Sequence, residues 1–273
     1  MAVAPVFDLP VWLAEDIAAE IPFPASPSEA AGIEAAVREV IGARPVDVAV
    51  LPDEHRRKRL LVADMDSTII GQECIDELAD LVGLKAHVAA ITERAMRGEI
   101  AFEPALRERV ALLRGLSVDV IERLLRERID LNPGARTLIR TMRAHGAHTA
   151  LVSGGFTHFT GPVAEKVGFQ EHHANELLIE NGLLIGLAAE PIKGRDAKLA
   201  ALQDITARLG IEAVQTLAVG DGANDLGMIE AAGLGVAFHA KPAVAAAAAA
   251  RIDHGDLTSL LYLQGYRRRE FVD

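Results

Sequence analysis

The segment LLVADMDSTII, residues 60–70, ends an apolar run of strand character with two carboxylates, Asp64 and Asp66. Residues i and i+2 at a strand end point the same way, so the pair is expected to face one crevice. Two carboxylates that close repel, and one tends to keep a proton unless a cation is present. The pair thus offers an ionised oxygen beside an acid able to donate. A second segment, AVGDGANDLGM, ends another apolar run at Gly220 and follows it with Asp221, Asn224 and Asp225. Asp221 can meet Asp64 across the crevice, and Asp225, four residues on, falls on the same side of a helix. Either segment alone also reads as a turn or a helix cap. Together, carboxylates converging from two strand ends make a hard oxygen site suited to Mg²⁺.

Two further segments fit the same crevice. LVSGGF delivers Ser153 with Gly154 and Gly155 from a strand, and a hydroxyl with exposed backbone N–H groups can cradle a phosphoryl oxygen. PIKGRDAKLAAL supplies Lys193 and Lys198. Either can be plain surface charge; Lys198, inside a helical pattern, is the preferred partner for an anion.

These residues need elements to hold them. RLLVADMD, AHTALVSGG, QTLAVGDG and GLGVAFH read as short buried strands. Helical patterns run over Gly134–His145, Thr157–Val167, Ala223–Ala231 and Pro242–Ala250. Strands alternating with helices imply a parallel sheet covered on both faces. Residues 72–130 interrupt the alternation with amphipathic helical patterns, apolar residues falling three and four apart. An insertion after the first strand is expected to sit over the C-terminal edge of the sheet as a cap. The expected parts are an N-terminal appendage (1–55), a core (56–71 and 131–273) and the cap (72–130).

Within the appendage, Ser26, Pro27 and Glu29 form a helix-start signal. VDVAVL alternates as a short strand, and DEHRRKR reads as a solvated, charged junction. The neighbouring His172 and His173 lack a third ligand at metal spacing and read as a surface pair.

The chain has 273 residues, half apolar and a quarter charged, with a net charge of −11. Such an acidic balance argues against nucleic-acid binding as the main task. The single cysteine, Cys74, fits a reducing, cytoplasmic setting and reads as structural. The first twenty residues do not resemble a secretory signal, and no uncharged apolar run of about 18 residues suggests a membrane span.

DMDST, LVSGG, Lys198 and GDGAND, in this order, resemble the four motifs of the haloacid dehalogenase (HAD) superfamily of phosphotransferases. DMDSTIIGQECIDELA, AMRGEIAFEPALRERVALL and GDGANDLGMIEAAGLGVAFHAKP are similar to the branch that hydrolyses phosphoserine. The resemblance implies an α/β fold: a Rossmann-like HAD core with a parallel sheet, a helical cap after the first core strand, and the small appendage. It implies Asp64 as the nucleophile and Asp66 as proton donor and acceptor. Mg²⁺ would be held by Asp64, the Asp66 carbonyl and Asp221, supported by Asp225 and Asn224. Ser153, Gly154 and Lys198 would offset phosphoryl charge. In the cap, Glu73 matches the acceptor of the substrate ammonium, Arg109 the carboxylate clamp, and Met96 and Phe102 the apolar shield.

The same resemblance makes a small molecule, phosphoserine, the expected partner. The alternatives are another small phosphomonoester such as phosphohomoserine, or a silent phospho-metabolite sensor. Some members of the branch carry ACT-type amino-acid-sensing modules, for which 55 residues are short. A partial module packed on the core, or on a second subunit in a homodimer, is the expectation.

Overall fold

The computed structural model describes residues 8–96 and 99–273, without the side chains of Pro27 and Met96. The appendage holds an antiparallel hairpin, β1 (Val11–Ala14) and β2 (Ala18–Glu20), and one helix, α1 (Pro27–Ile41). The predicted cap box forms: the Ser26 N–H and hydroxyl both donate to the Glu29 carboxylate, at 2.8 and 2.6 Å. Residues 46–51 differ from expectation, because they join no strand. Their backbone is held by side chains of α1 instead. Arg38 donates to the Val48 carbonyl, and the Val50 N–H reaches Glu34 at 3.3 Å.

DEHRRKR is solvated only in part: Asp53, Glu54, His55, Arg57 and Arg59 are exposed, while Arg56 and Lys58 are drawn inward. Arg56 pairs with Glu20 and donates to the Leu263 carbonyl at 3.0 Å. Arg57 lies 4.1 Å from the centre of the Tyr266 ring. Lys58 is buried and donates to the Val214 carbonyl at 2.8 Å. The charges that suggest solvent are used to fasten the appendage to the core.

The core begins at β3 (Leu60–Ala63) and continues, after a turn over Met65–Ile69, into α2 (Cys74–Asp80), α3 (Lys85–Met96), α4 (Phe102–Ala111) and α5 (Asp119–Glu127). The entering and leaving chains of this insertion are joined: the Gly71 N–H reaches the Asp130 carbonyl at 3.1 Å and the Asn132 N–H the Ile69 carbonyl at 2.9 Å. Then follow α6 (Ala135–Ala144), β4 (His148–Phe156), α7 (Thr157–Val167), β5 (Glu171–Asn175), the hairpin β6 (Leu177–Glu180) and β7 (Leu183–Ala188), and α8 (Arg195–Leu209). The chain closes with β8 (Thr216–Gly220), α9 (Leu226–Ala231), β9 (Leu234–Phe238), α10 (Pro242–Ala247), β10 (Ala250–Ile252) and α11 (Ser259–Leu263).

Six strands form one parallel sheet in the order β10-β9-β8-β3-β4-β5. β3 is central and fully buried, because period-2 alternation feeds two apolar layers. Leu61 and Ala63 pack into one, and Leu60 and Val62 into the other.

Three sequence readings shift. The helix from Pro242 stops at Ala247, and the last alanine of the run opens β10. The segment from Ala223 starts as a 3₁₀ turn over Ala223–Asp225 before α9. Beyond its helices, the insertion also engages the β6–β7 hairpin, through Gly115 to Leu184 and Val118 to Gly182 (2.8 and 2.9 Å). Among the described residues, no helix is long and apolar enough to cross a membrane.

Candidate active site

The parallel register aligns the C-terminal ends of the three central strands. Ala63 lies opposite Val219 on one side and Leu151 on the other. Asp64, Ser153 and the Gly220–Asp221 step therefore reach one level, at the edge where the strand order reverses. The Asp64 N–H extends the ladder to the Val219 carbonyl at 3.0 Å, and its Oδ1 accepts the Met65 N–H at 2.8 Å.

Asp66 reaches the same crevice by a different route from strand alternation. β3 has ended at Ala63, and the next residues wind into a tight turn with Ser67 left-handed (φ 55°) and the Ile70 N–H on the Met65 carbonyl at 3.0 Å. Asn132 braces this turn through the Thr68 and Ile70 carbonyls, at 2.7 and 3.3 Å. Asp66 Oδ1 then accepts the Cys74 N–H at 2.9 Å, and Oδ2 the Ser153 hydroxyl at 3.2 Å. Burial raises the pKa of Asp66 despite these bonds, which favours its protonated form.

Oxygens of Asp64, Asp221 and Asp225 lie within 4.8 Å of one another, all on buried residues. Gly220 makes this possible, since a Cβ there would overlap the Asp225 carboxyl carbon. Asp225 Oδ2 accepts the Gly222 N–H at 3.0 Å, and Asp221 Oδ1 the Thr68 hydroxyl at 3.3 Å. Lys198, 1% exposed, places Nζ 2.6 Å from both Asp64 Oδ1 and Asp225 Oδ1.

One lysine among three carboxylates leaves the cluster short of positive charge. Burial and then Asp225 raise the pKa of Asp64 well above the usual range, and push Asp221 to about 6. Lys198 stays charged, its pKa raised by Asp225 and Asp64 against the effect of burial. Hard oxygens in deficit of charge fit a divalent cation.

Lys193 stands elsewhere: its side chain is exposed, and its backbone is clasped by Asn175. Asn175 also donates to the Gly154 carbonyl at 2.9 Å, fixing the glycine of the cradle. No sequence signal singled out Asn175 or Asn132, because a lone asparagine looks like a turn residue.

Over this floor lies a cavity of about 770 Å³, walled by Ser153, Gly154 and Asn224 of the core and Glu73, Phe102 and Arg109 of the insertion. The Phe102 ring sits so close to the Gly154 backbone that a Cβ there would come within 2.9 Å of it. Glu73 Oε1 accepts the Ser67 hydroxyl at 2.7 Å. Burial, with Asp66 adding repulsion, moves the Glu73 pKa to about 8. Arg109 is 5% exposed and has no carboxylate within ion-pair distance among the described residues. Met96 is the last residue of α3, and its side chain lies outside the described set. Cys74 is buried beside Asp66 with its thiol pushed towards neutrality. His172 is exposed on β5, and neither it nor His173 joins the acidic cluster.

The sequence profile of the haloacid dehalogenase-like hydrolases matches residues 61–230, from β3 through α9. The chain belongs to this family.

Among relatives of this hydrolase, a phosphoserine phosphatase of Albidiferax ferrireducens is 49% identical over 75% of the chain and 89% of its own length. One of Mycobacterium tuberculosis is 44% identical over 87% of the chain, which spans 58% of that longer relative. Of solved structures, a phospho-aspartyl intermediate analogue of phosphoserine phosphatase superposes with TM-score 0.71 and 39% identity. That match covers 76% of this chain and 98% of the other. A HAD-family hydrolase from Salmonella enterica serovar Typhi gives TM-score 0.84 at 30% identity, covering 95% of this chain and 89% of the other.

A divalent cation that binds only the folded cluster stabilises it by mass action, by about 2.7 kcal/mol at a hundredfold excess over its dissociation constant. Adding the cation to chelator-treated protein is expected to raise the melting temperature, and Asp221→Asn to lose most of that rise. An equal rise in the variant would place the cation elsewhere.

Proposed function

We propose that this hydrolase is a Mg²⁺-dependent phosphoserine phosphatase that converts O-phospho-L-serine to L-serine and phosphate through an aspartyl-phosphate. One observation carries the reading: a single cavity has the Asp64–Asp66 pair on its floor and, on its roof, the carboxyl of Glu73 and the guanidinium of Arg109, which meets no carboxylate among the described residues. Phosphoserine needs that combination, because it presents an ammonium and a carboxylate beside its phosphate. The named relatives, and solved structures described as a phospho-aspartyl analogue and a substrate-bound complex of phosphoserine phosphatase, support it. The three-part division at 1–55, 56–71 with 131–273, and 72–130 belongs to the same proposal, as do a cytoplasmic setting and a homodimer.

Asp64 Oδ1 is taken up by the Met65 N–H and Lys198, which leaves Oδ2 to attack phosphorus. As the P–O bond to serine breaks, Asp66 gives its proton to the leaving oxygen. Asp66 then takes a proton from water, whose oxygen attacks phosphorus, breaking the bond to Asp64 and releasing phosphate. The Ser153 hydroxyl, the Gly154 N–H and Lys198 stabilise the equatorial oxygens as charge builds on them. Mg²⁺ held by Asp64, the Asp66 carbonyl and Asp221, with Asp225 and Asn224 in support, would supply further charge stabilisation. Phe102, and Met96 by the resemblance, shield the site from water.

Selectivity is expected to reside on the cavity roof. Removing a charge-assisted pair costs about 1.5–3 kcal/mol, or roughly 10- to 150-fold in kcat/KM. Arg109→Ala should lose that much against phosphoserine and little against phosphoethanolamine, which lacks the carboxylate. Equal losses on both would show that Arg109 does not read the carboxylate.

The pH profile tests Glu73. A carboxyl with a pKa of about 8 is neutral at pH 7 and gains its charge as pH rises. The kcat/KM for phosphoserine, divided by that for a phosphomonoester without an ammonium, should therefore climb through pH 8, and Glu73→Gln should flatten the climb. A climb that persists in the variant contradicts the assignment.

A further inference from the structure

Arg109 is a buried cation that, among the described residues, no carboxylate touches, yet its position is fixed from two helices. On α4, its Nε donates to the Ala105 carbonyl at 3.0 Å. Across the roof, on α3, its Nη1 donates to the Thr92 hydroxyl oxygen at 2.9 Å. Of the five guanidinium N–H groups, these bonds use two, leaving both on Nη2 and one on Nη1. Burial lowers the arginine pKa, and the charge of Asp76 is the first influence opposing it.

Thr92 is itself 5% exposed and borders the cavity. Since its oxygen accepts from Arg109, its single proton goes to Asp76 Oδ1 at 3.2 Å or the Val88 carbonyl at 3.1 Å. The Asp76 carboxylate thus stands one hydroxyl behind the guanidinium. In direct contact it would occupy the fork that a ligand carboxylate needs. With a hydroxyl between them, it steadies the cation and leaves the fork open.

We infer that Thr92 is a positioning residue that aims the Arg109 guanidinium at the substrate carboxylate, with Asp76 oriented behind it. The inference rests on the phosphoserine reading. Without the hydroxyl, a carbonyl of its own helix is what holds Arg109 among the described residues, and the side chain regains rotamers that miss the substrate. Binding of the carboxylate suffers, while phosphoryl transfer, which depends on the cavity floor, does not.

The experiment measures kcat and KM for phosphoserine and for phosphoethanolamine in wild type, Thr92→Val, Thr92→Ser, Arg109→Ala and the Thr92→Val/Arg109→Ala double variant. Thr92→Val is expected to raise KM for phosphoserine about tenfold, equivalent to 1.4 kcal/mol. It should leave kcat, and both constants for phosphoethanolamine, at the wild-type level. Thr92→Ser, which keeps the hydroxyl, should restore KM, and Thr92→Val should add nothing in the Arg109→Ala background. Equal losses on both substrates, failure of Thr92→Ser to restore KM, or additive effects in the double variant would overturn the inference. If Thr92→Val melts below the assay temperature, Asp76→Asn carries the same test: a rise in KM confined to phosphoserine supports the relay, and an equal loss on both substrates overturns it. A wild-type enzyme that treats the two substrates alike would overturn the phosphoserine reading itself. One that discriminates between them while Thr92→Val leaves KM unchanged would overturn only the role of Thr92.

Discussion

Everything in this site depends on one buried ammonium. Lys198 Nζ lies 2.6 Å from Asp64 and from Asp225, and all three side chains are nearly or wholly removed from water. Placing two carboxylates and a lysine there costs several kcal/mol of desolvation per ion, recovered only where the geometry is close and the remaining lone pairs are bonded. The backbone supplies those bonds, from Met65 to Asp64 and from Gly222 to Asp225. Taking the lysine away would leave both carboxylates uncompensated, at a cost of about 3–5 kcal/mol. The same contact holds Asp64 in one orientation and works against burial and the neighbouring carboxylates, which still raise its pKa; the cation that the cluster fits would complete the ionisation that the proposed nucleophile needs.

The fold exists to make that contact reproducible. β3 and β8 are adjacent and parallel, so Asp64 and Asp221 leave the sheet side by side. α8 carries Lys198 back over this edge, and the apolar layer containing Leu60, Val62 and Leu202 sets its height. The chain between β3 and α6 then roofs the floor, with its two ends joined across Gly71–Asp130 and Ile69–Asn132. In the proposed mechanism, chemistry belongs to the floor and recognition to a separately built roof, so that each can be tuned without disturbing the other.

The sequence made the floor legible because each of its residues follows a buried strand or sits within a helical run, where direction is dictated by period. It was less informative where side chains hold backbone. Residues 46–51 have a strand's alternation, yet the Val50 N–H and the Val48 C=O are met by Glu34 and Arg38 rather than by a neighbouring strand. Arg56, Arg57 and Lys58 look like a solvated run and are instead spent on Glu20, Tyr266 and the Val214 carbonyl. Asp66 does share the cavity of Asp64, but by way of the left-handed Ser67 and the Asn132 brace, neither of which alternation foretells. Thr92, Asp76 and Asn175 escaped notice for the same reason. Each works through another residue, and such roles have no motif.

The central claim is that phosphorus becomes bonded to Asp64. The most direct measurement is an acid quench of the Mg²⁺-loaded enzyme during turnover of phosphoserine, followed by proteolysis and mass analysis. The account predicts one phosphoryl group on the peptide containing Asp64, sensitive to hydroxylamine and absent in Asp64→Asn. A phosphoryl group on another residue, or turnover that persists in Asp64→Asn, would contradict it.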